Sequence, residues 1–212
     1  MRNNRYWVLI SLFFLGLGWS AVNPKDYFTW ILEVFPAIIG LAVLVFTFRK
    51  FRFTDMTYLF ILLHCFVLFV GGHYTYAEVP LFSWIRDALH EQRNNYDKVG
   101  HFMQGFVPAM IARELFLRKE IVRKGAWVSV LTVSVCMGIS MLYEFLEWFV
   151  AISSGQSAEA FLGTQGDPWD TQSDMLMATI GAIVMVTLVA GIHDRQIVGM
   201  KPAVPPSSST IR

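Results

Sequence analysis

The 212-residue chain is short of charge and almost devoid of cysteine, and each shortage narrows what it can be. Only 16% of its residues are charged while 55% are hydrophobic. That balance is too apolar for a soluble domain, and the apolar residues gather in runs near 20 long that match the hydrocarbon thickness of a bilayer. The two cysteines, Cys65 and Cys136, fall inside such runs. They read as small hydrophobes, so neither a disulfide framework nor a structural zinc site is expected. A strongly basic groove with interleaved aromatics is not expected, which argues against a nucleic-acid partner. Gly-x-Ser-x-Gly and phosphate-loop motifs are also missing, which leaves serine nucleophiles and nucleotide chemistry without support.

What is present is a series of six apolar runs. The first, 6–22, follows the basic start Met1-Arg2-Asn3-Asn4-Arg5. It is longer than a signal-peptide core and no small-x-small site follows it, so a retained span is expected, with a signal peptide as the alternative. The second, 27–48, holds Glu33 and Pro36, a candidate kink. The third, 56–76, carries His64 near its middle and His73 near its end. After it, Leu81, Phe82, Ile85 and Leu89 share one helical face and Arg86, Asp87 and His90 another, which predicts a short helix lying in the interface. The fourth and fifth runs are 96–117, with Pro108 as a second candidate break, and 126–152. A loop over 153–169, rich in Gly, Ser, Gln and acids, precedes the sixth run, 171–192. From His193 onward a disordered tail is expected, leaving a single membrane domain over 1–192.

Basic residues orient this chain. Most of its 17 lysines and arginines lie before run one, after runs two and four, and in the tail: Arg2, Arg5, Arg49, Lys50, Arg52, Arg118, Lys119, Arg123, Lys124, Arg195, Lys201 and Arg212. Basic loops stay cytoplasmic. The expected fold is therefore an all-α polytopic bundle of six transmembrane helices with both termini inside.

That topology gathers the polar residues. At about 1.5 Å per residue, Glu33, His73, His101, Gln104, Glu144, Glu147 and Asp174 fall within roughly two helical turns of the outer boundary. Ionisable groups at such depths are costly unless they face protein or a water-filled cavity. Asp97, His101 and Gln104 form one stripe, Ser140, Glu144 and Glu147 a second, and Asp170 and Asp174 a third, so three helices can face one centre. Asp97 and Asp170 can equally be helix N-caps. His64 reads as a packing residue; Trp30, Trp84, Trp148 and Trp169 read as an interfacial belt. Lys98 either pairs with a carboxylate or extends to the interface.

Two glutamates on one face repel unless a proton, a cation or a metal intervenes. Imidazole and carboxylate donors suit a divalent metal ion, and Asp97, His101, Glu144, Glu147, Asp170 and Asp174 are its candidate ligands. Such an ion can activate water against a phosphoester or polarise a lipid headgroup. Glu144, Glu147 and His101 are the candidate catalytic groups, as general acid and base. Membrane lipids, or a lipid-linked envelope intermediate, are the expected partners. Two other readings stay open. One is an ion- or proton-coupled transporter with a polar path past Pro36 and His64. The other is an assembly partner that uses the 81–90 helix and the 153–169 loop as contact surfaces.

Across about Trp7 to Ile192 the sequence resembles the YjdF-like family of bacterial inner-membrane proteins, through Asp97, Lys98, His101, Glu144, Glu147, Asp167, Trp169, Asp170 and Asp174. More distantly it is similar to the VanZ-like family, through Asp97-Lys98-x-x-His101-Phe102, the Tyr143-Glu144 pair, and Asp174 followed by Gly181. Glu147 and Ala178 depart from that second pattern. The resemblances imply an envelope setting and no settled activity.

Overall fold

A computed structural model describes residues 4–154 and 164–200, and every regular element in them is helical. In chain order these are α1 (Asn4–Ser20), α2 (Tyr27–Thr47), α3 (Asp55–Tyr74), α4 (Pro80–Leu89), α5 (Tyr96–Arg118), α6 (Ala126–Ser154) and α7 (Asp170–Val184). A π turn, Met185–Val189, joins α7 to α8 (Ala190–Met200). Much of the predicted 153–169 loop, and the chain beyond Met200, lie outside the described residues.

Local chemistry sets the helix ends. Asp26 has extended backbone and accepts a 2.7 Å hydrogen bond from the Thr29 N–H, capping α2. That bond also holds the Asp26 carboxyl below its ordinary value. Thr54 caps α3 in the same way by accepting from the Thr57 N–H. At the far end of α3, Thr75 and Tyr76 both take left-handed backbone, with φ of 54° and 53°. The turn folds the Tyr76 ring back into a slot that exists only because Gly71 and Gly100 have no Cβ to fill it. Pro36 and Pro108, the candidate breaks, both lie within continuous helices.

α5 is the central helix. It packs on α3, α6, α7 and α8, and its contact with α7 is the most extensive in the molecule. Small residues bring those two together: a Cβ on Gly105 would overlap the Ala178 carbonyl, and one on Gly181 would overlap the Phe102 carbonyl. Membrane helices lack a water-driven hydrophobic force between them and use such close backbone approach instead. α1 and α2 each pack on α3 and make no substantial contact with each other.

Four segments are long and apolar enough to cross a membrane: Tyr27–Thr47, Asp55–Tyr74, Ala126–Ser153 and Asp170–Met200. Their outward faces are rich in exposed apolar side chains, such as Phe46, Leu142 and Leu188. α1 is shorter at 17 residues. α5 is long enough at 23, but holds Asp97, Lys98, Arg113, Glu114 and Arg118. Its central place in the bundle explains how it tolerates them, since neighbouring helices supply the partners that lipid cannot.

One boundary differs from the sequence reading. The tail expected to be disordered from His193 stays helical to Met200, with His193 and Ile197 buried. The reason is a partner on α5: the His193 Nε2 lies 3.1 Å from Glu114 Oε2. The helix therefore continues until its polar and apolar contacts are made.

Candidate functional site

The α5, α6 and α7 stripes meet at one end of the bundle. Asp97 and His101 of α5, Ser140, Glu144 and Glu147 of α6, and Asp170 and Asp174 of α7 are all buried. The six residues expected to bind metal do not form one shell, however. Five of them divide into two groups that share Asp174, and Glu147 stands in neither.

The first group is Asp97, Asp170 and Asp174, whose carboxylate oxygens lie within 4.8 Å of one another. Two cations already pair with it. Lys98 Nζ donates to Asp170 Oδ1 at 2.7 Å and to Asp174 Oδ1 at 2.6 Å. Arg93 bonds Asp97 Oδ2 at 2.6 Å, Asp167 Oδ2 at 3.2 Å, and Asp170 Oδ1. Lys98 thus pairs across helices instead of extending to the interface. Asp97 and Asp170 lie in the first turns of α5 and α7, but the N-cap positions belong to Asn95 and Trp169. Their carboxylates serve the ion-pair network.

The second group is His101, Glu144 and Asp174, which likewise offer ligand atoms within 4.8 Å of one another. His101 Nε2 stands 3.7 Å from Asp174 Oδ1, and His101 Nδ1 stands 3.9 Å from Glu144 Oε1. Both separations are too long for hydrogen bonds, and they involve the two different nitrogens of the ring. Gln104 Oε1 lies 3.2 Å from His101 Nδ1 and Tyr143 meets the ring edge-on, so the imidazole is held from two sides. Glu144 Oε1 is buried and has no hydrogen-bond partner among the described residues. Ser140 Oγ, one turn away on the same face, is in the same condition. Buried polar atoms left unpaired cost free energy comparable to a lost hydrogen bond, on the order of 1–3 kcal/mol. Glu147 and Glu33, also buried, extend the acidic group toward Tyr76 and Tyr143.

Arg93 was not among the sequence candidates, although its spacing from Asp97 is the i,i+4 pattern of a helical ion pair. It precedes the helix, and only tertiary structure fixes it. The Asn94 N–H donates to Gln165 Oε1 and Gln165 Nε2 donates back to the Asn94 carbonyl, both at 2.9 Å. Asn94 Nδ2 also reaches the Val79 carbonyl at 3.0 Å. These bonds tie the approaches to α5 and α7 together, with Arg93 over the aspartates. His64 lies on the wall of an apolar groove. His73, at the end of α3, places Nδ1 3.0 Å from the Ser20 carbonyl oxygen and stacks on Trp19.

Residues 5–195 of the chain match a family model described as "Predicted membrane protein (DUF2238)". The sequence is also similar to the Inner membrane protein YjdF of Escherichia coli (strain K12), with 45% identity over 183 residues covering 86% of this chain and 88% of that one. No solved structure matches.

Proposed function

Because the chain belongs to the DUF2238 family of membrane proteins and sits in the inner membrane, we propose a six-span topology in which α1 and α5 complete the four longer apolar segments. Both termini face the cytoplasm in this reading. Its support is the gathering of Arg49, Lys50, Arg52, Arg118, Lys119, Arg123 and Lys124 at the ends of α2 and α5, opposite the His and carboxylate group.

At the opposite, periplasmic end, His101, Glu144 and Asp174 hold a divalent cation and present it to the headgroup of an envelope lipid or lipid-linked intermediate. The observation that carries this reading is Glu144: its Oε1 is buried with no hydrogen-bond partner among the described residues, and one of its oxygens lies within 4.8 Å of ligand atoms on His101 and Asp174. A cation there satisfies the orphaned oxygen and relieves the repulsion among Glu144, Glu147 and Asp174. Asp97 and Asp170, bound by Arg93 and Lys98, hold the frame around the ion, and Asp174, which also accepts from Lys98, is shared between that ammonium and the ion. A bound cation supplies Lewis acidity toward a phosphoester oxygen. Glu147, beside Glu144 and outside the ligand triad, is placed for proton transfer to or from water. The apolar lining between His64 and the basic end favours this reading over a proton path across the bilayer.

Purified protein equilibrated with Mn²⁺ is expected to retain about one ion per chain, and the Glu144→Gln plus Glu147→Gln variant to lose at least about 10-fold in affinity. Elemental analysis after desalting measures both. No retained ion in the parent protein, or equal retention in the variant, removes the cation reading.

A further inference from the structure

α1 and α2 lean on α3 without closing against each other, and between them the molecule has a groove of about 670 Å³. Leu9, Phe13, Ala37, Leu41 and Leu62 give it apolar walls, and His64 stands toward its inner end. At its mouth are Tyr6, Phe48 and Tyr58, packed edge to face or tilted on one another. The volume lies within the range of about 300–1,000 Å³ typical of small-molecule sites. Gly40 lines the groove, and a Cβ there would meet nothing within 4 Å. The space is therefore not filled by the protein's own side chains.

Charge identifies what enters. Arg49 lies on the groove wall at its mouth and has no carboxylate within ion-pair distance among the described residues. Arg52 and Arg5 flank the mouth, with their guanidinium groups over the Tyr6 ring. Arg5 is paired with Asp55, whereas the Arg52 guanidinium lies over the Tyr6 and Phe48 rings and has no carboxylate within ion-pair distance among the described residues. An apolar slot that opens beneath uncompensated arginines fits an amphiphile with an anionic head and a hydrocarbon tail.

We propose that this groove is a binding site for an anionic phospholipid of the leaflet at the basic end of the bundle. One acyl chain lies along the α3 floor between α1 and α2, and the phosphate pairs with Arg49. The site is distinct from the His101, Glu144 and Asp174 group, and it does not require a cation there. Guanidinium groups bind phosphate oxygens by paired hydrogen bonds, so phosphate contact and net headgroup charge together give selectivity.

The test uses the full chain in nanodiscs containing phosphatidylglycerol and phosphatidylcholine with identical acyl chains, mixed one to three. Lipid retained after mild detergent extraction is counted by native mass spectrometry. The parent protein is expected to retain phosphatidylglycerol with about fivefold enrichment over phosphatidylcholine, the gain from about one arginine at an anionic surface. Arg49→Gln, at an exposed position, is expected to bring the ratio close to that of the bulk mixture. Gly40→Phe, which fills the groove, is expected to reduce retention of both lipids. Equal enrichment of the two lipids by the parent protein overturns the proposal, as does unchanged selectivity in Arg49→Gln. Retention by folded Gly40→Phe at the parent level also overturns it; if that variant misfolds, the arginine result decides.

Discussion

Gly105→Leu is expected to lower stability by about 3 kcal/mol or more and to abolish cation binding at the opposite set of side chains. Overpacking a core ordinarily costs about 1–3 kcal/mol, because side chains can shift to admit the new atoms. At Gly105 the obstacle is the Ala178 backbone carbonyl, and a Cβ there already overlaps it. The backbone of α7 cannot move aside without separating from α5, and the reciprocal contact of Gly181 with the Phe102 carbonyl opens with it. His101 rides on α5 and Asp174 on α7, so the same displacement pulls the two ligand atoms apart. Gly138→Leu and Gly199→Leu are suitable controls, since a Cβ at either position meets nothing within 4 Å. Unfolding in mixed micelles, followed by circular dichroism, measures the cost. Equal losses from all three substitutions would contradict the packing argument.

Glu114→Ala is expected to cost about 3–5 kcal/mol, the range for removing one partner of a buried ion pair. Glu114 has no exposed surface and collects partners from three parts of the chain. Its Oε1 accepts from the Thr54 N–H at 2.9 Å and from Arg118 at 2.6 Å. Its Oε2 accepts from Thr54 Oγ1 at 3.0 Å and Thr57 Oγ1 at 2.7 Å, and lies 3.1 Å from His193 Nε2. Alanine leaves the buried Thr54 N–H with no acceptor and loosens the start of α3, the end of α5 and α8 from one another, although the Thr54 and Thr57 hydroxyls, His193 and Arg118 keep second partners. Neighbouring Arg113 and Lys124 both pair with Asp194, so α8 keeps a second hold. The expected outcome is a destabilised protein whose α8 exchanges amide hydrogens faster than α7, read by hydrogen–deuterium exchange. An unfolding midpoint within error of the parent would show that this cluster does not hold the basic end together.

The transmembrane pattern was legible because the bilayer demands it: runs near 20 long in the sequence became α2, α3, α6 and the α7–α8 rod. The three polar stripes were legible for a similar reason, since helical spacing alone puts Glu144 on the same face as Glu147, and His101 with Gln104. Depth along the rods then brought the stripes together. What could not be read was which carboxylates already had partners. Arg93 sits outside the helix whose aspartate it pairs with, and its position depends on a reciprocal amide contact between Asn94 and Gln165 across the chain. The extension of α8 past Ile192 was hidden for the same physical reason. His193 and Asp194 look like the polar end of a span, and only their contacts with Glu114, Arg113 and Lys124 make them interior. Glu114 and Arg113, set in the inner half of an otherwise apolar run, were the available signal.

In the proposed site three helices place His101, Glu144 and Asp174 around one cation. Electron spin echo modulation of Mn²⁺ bound to the purified protein tests it most directly. The account predicts nitrogen coupling from one imidazole, absent in His101→Gln, and loss of bound Mn²⁺ in Asp174→Asn. Tight Mn²⁺ binding with no nitrogen coupling, or coupling that survives His101→Gln, would contradict it.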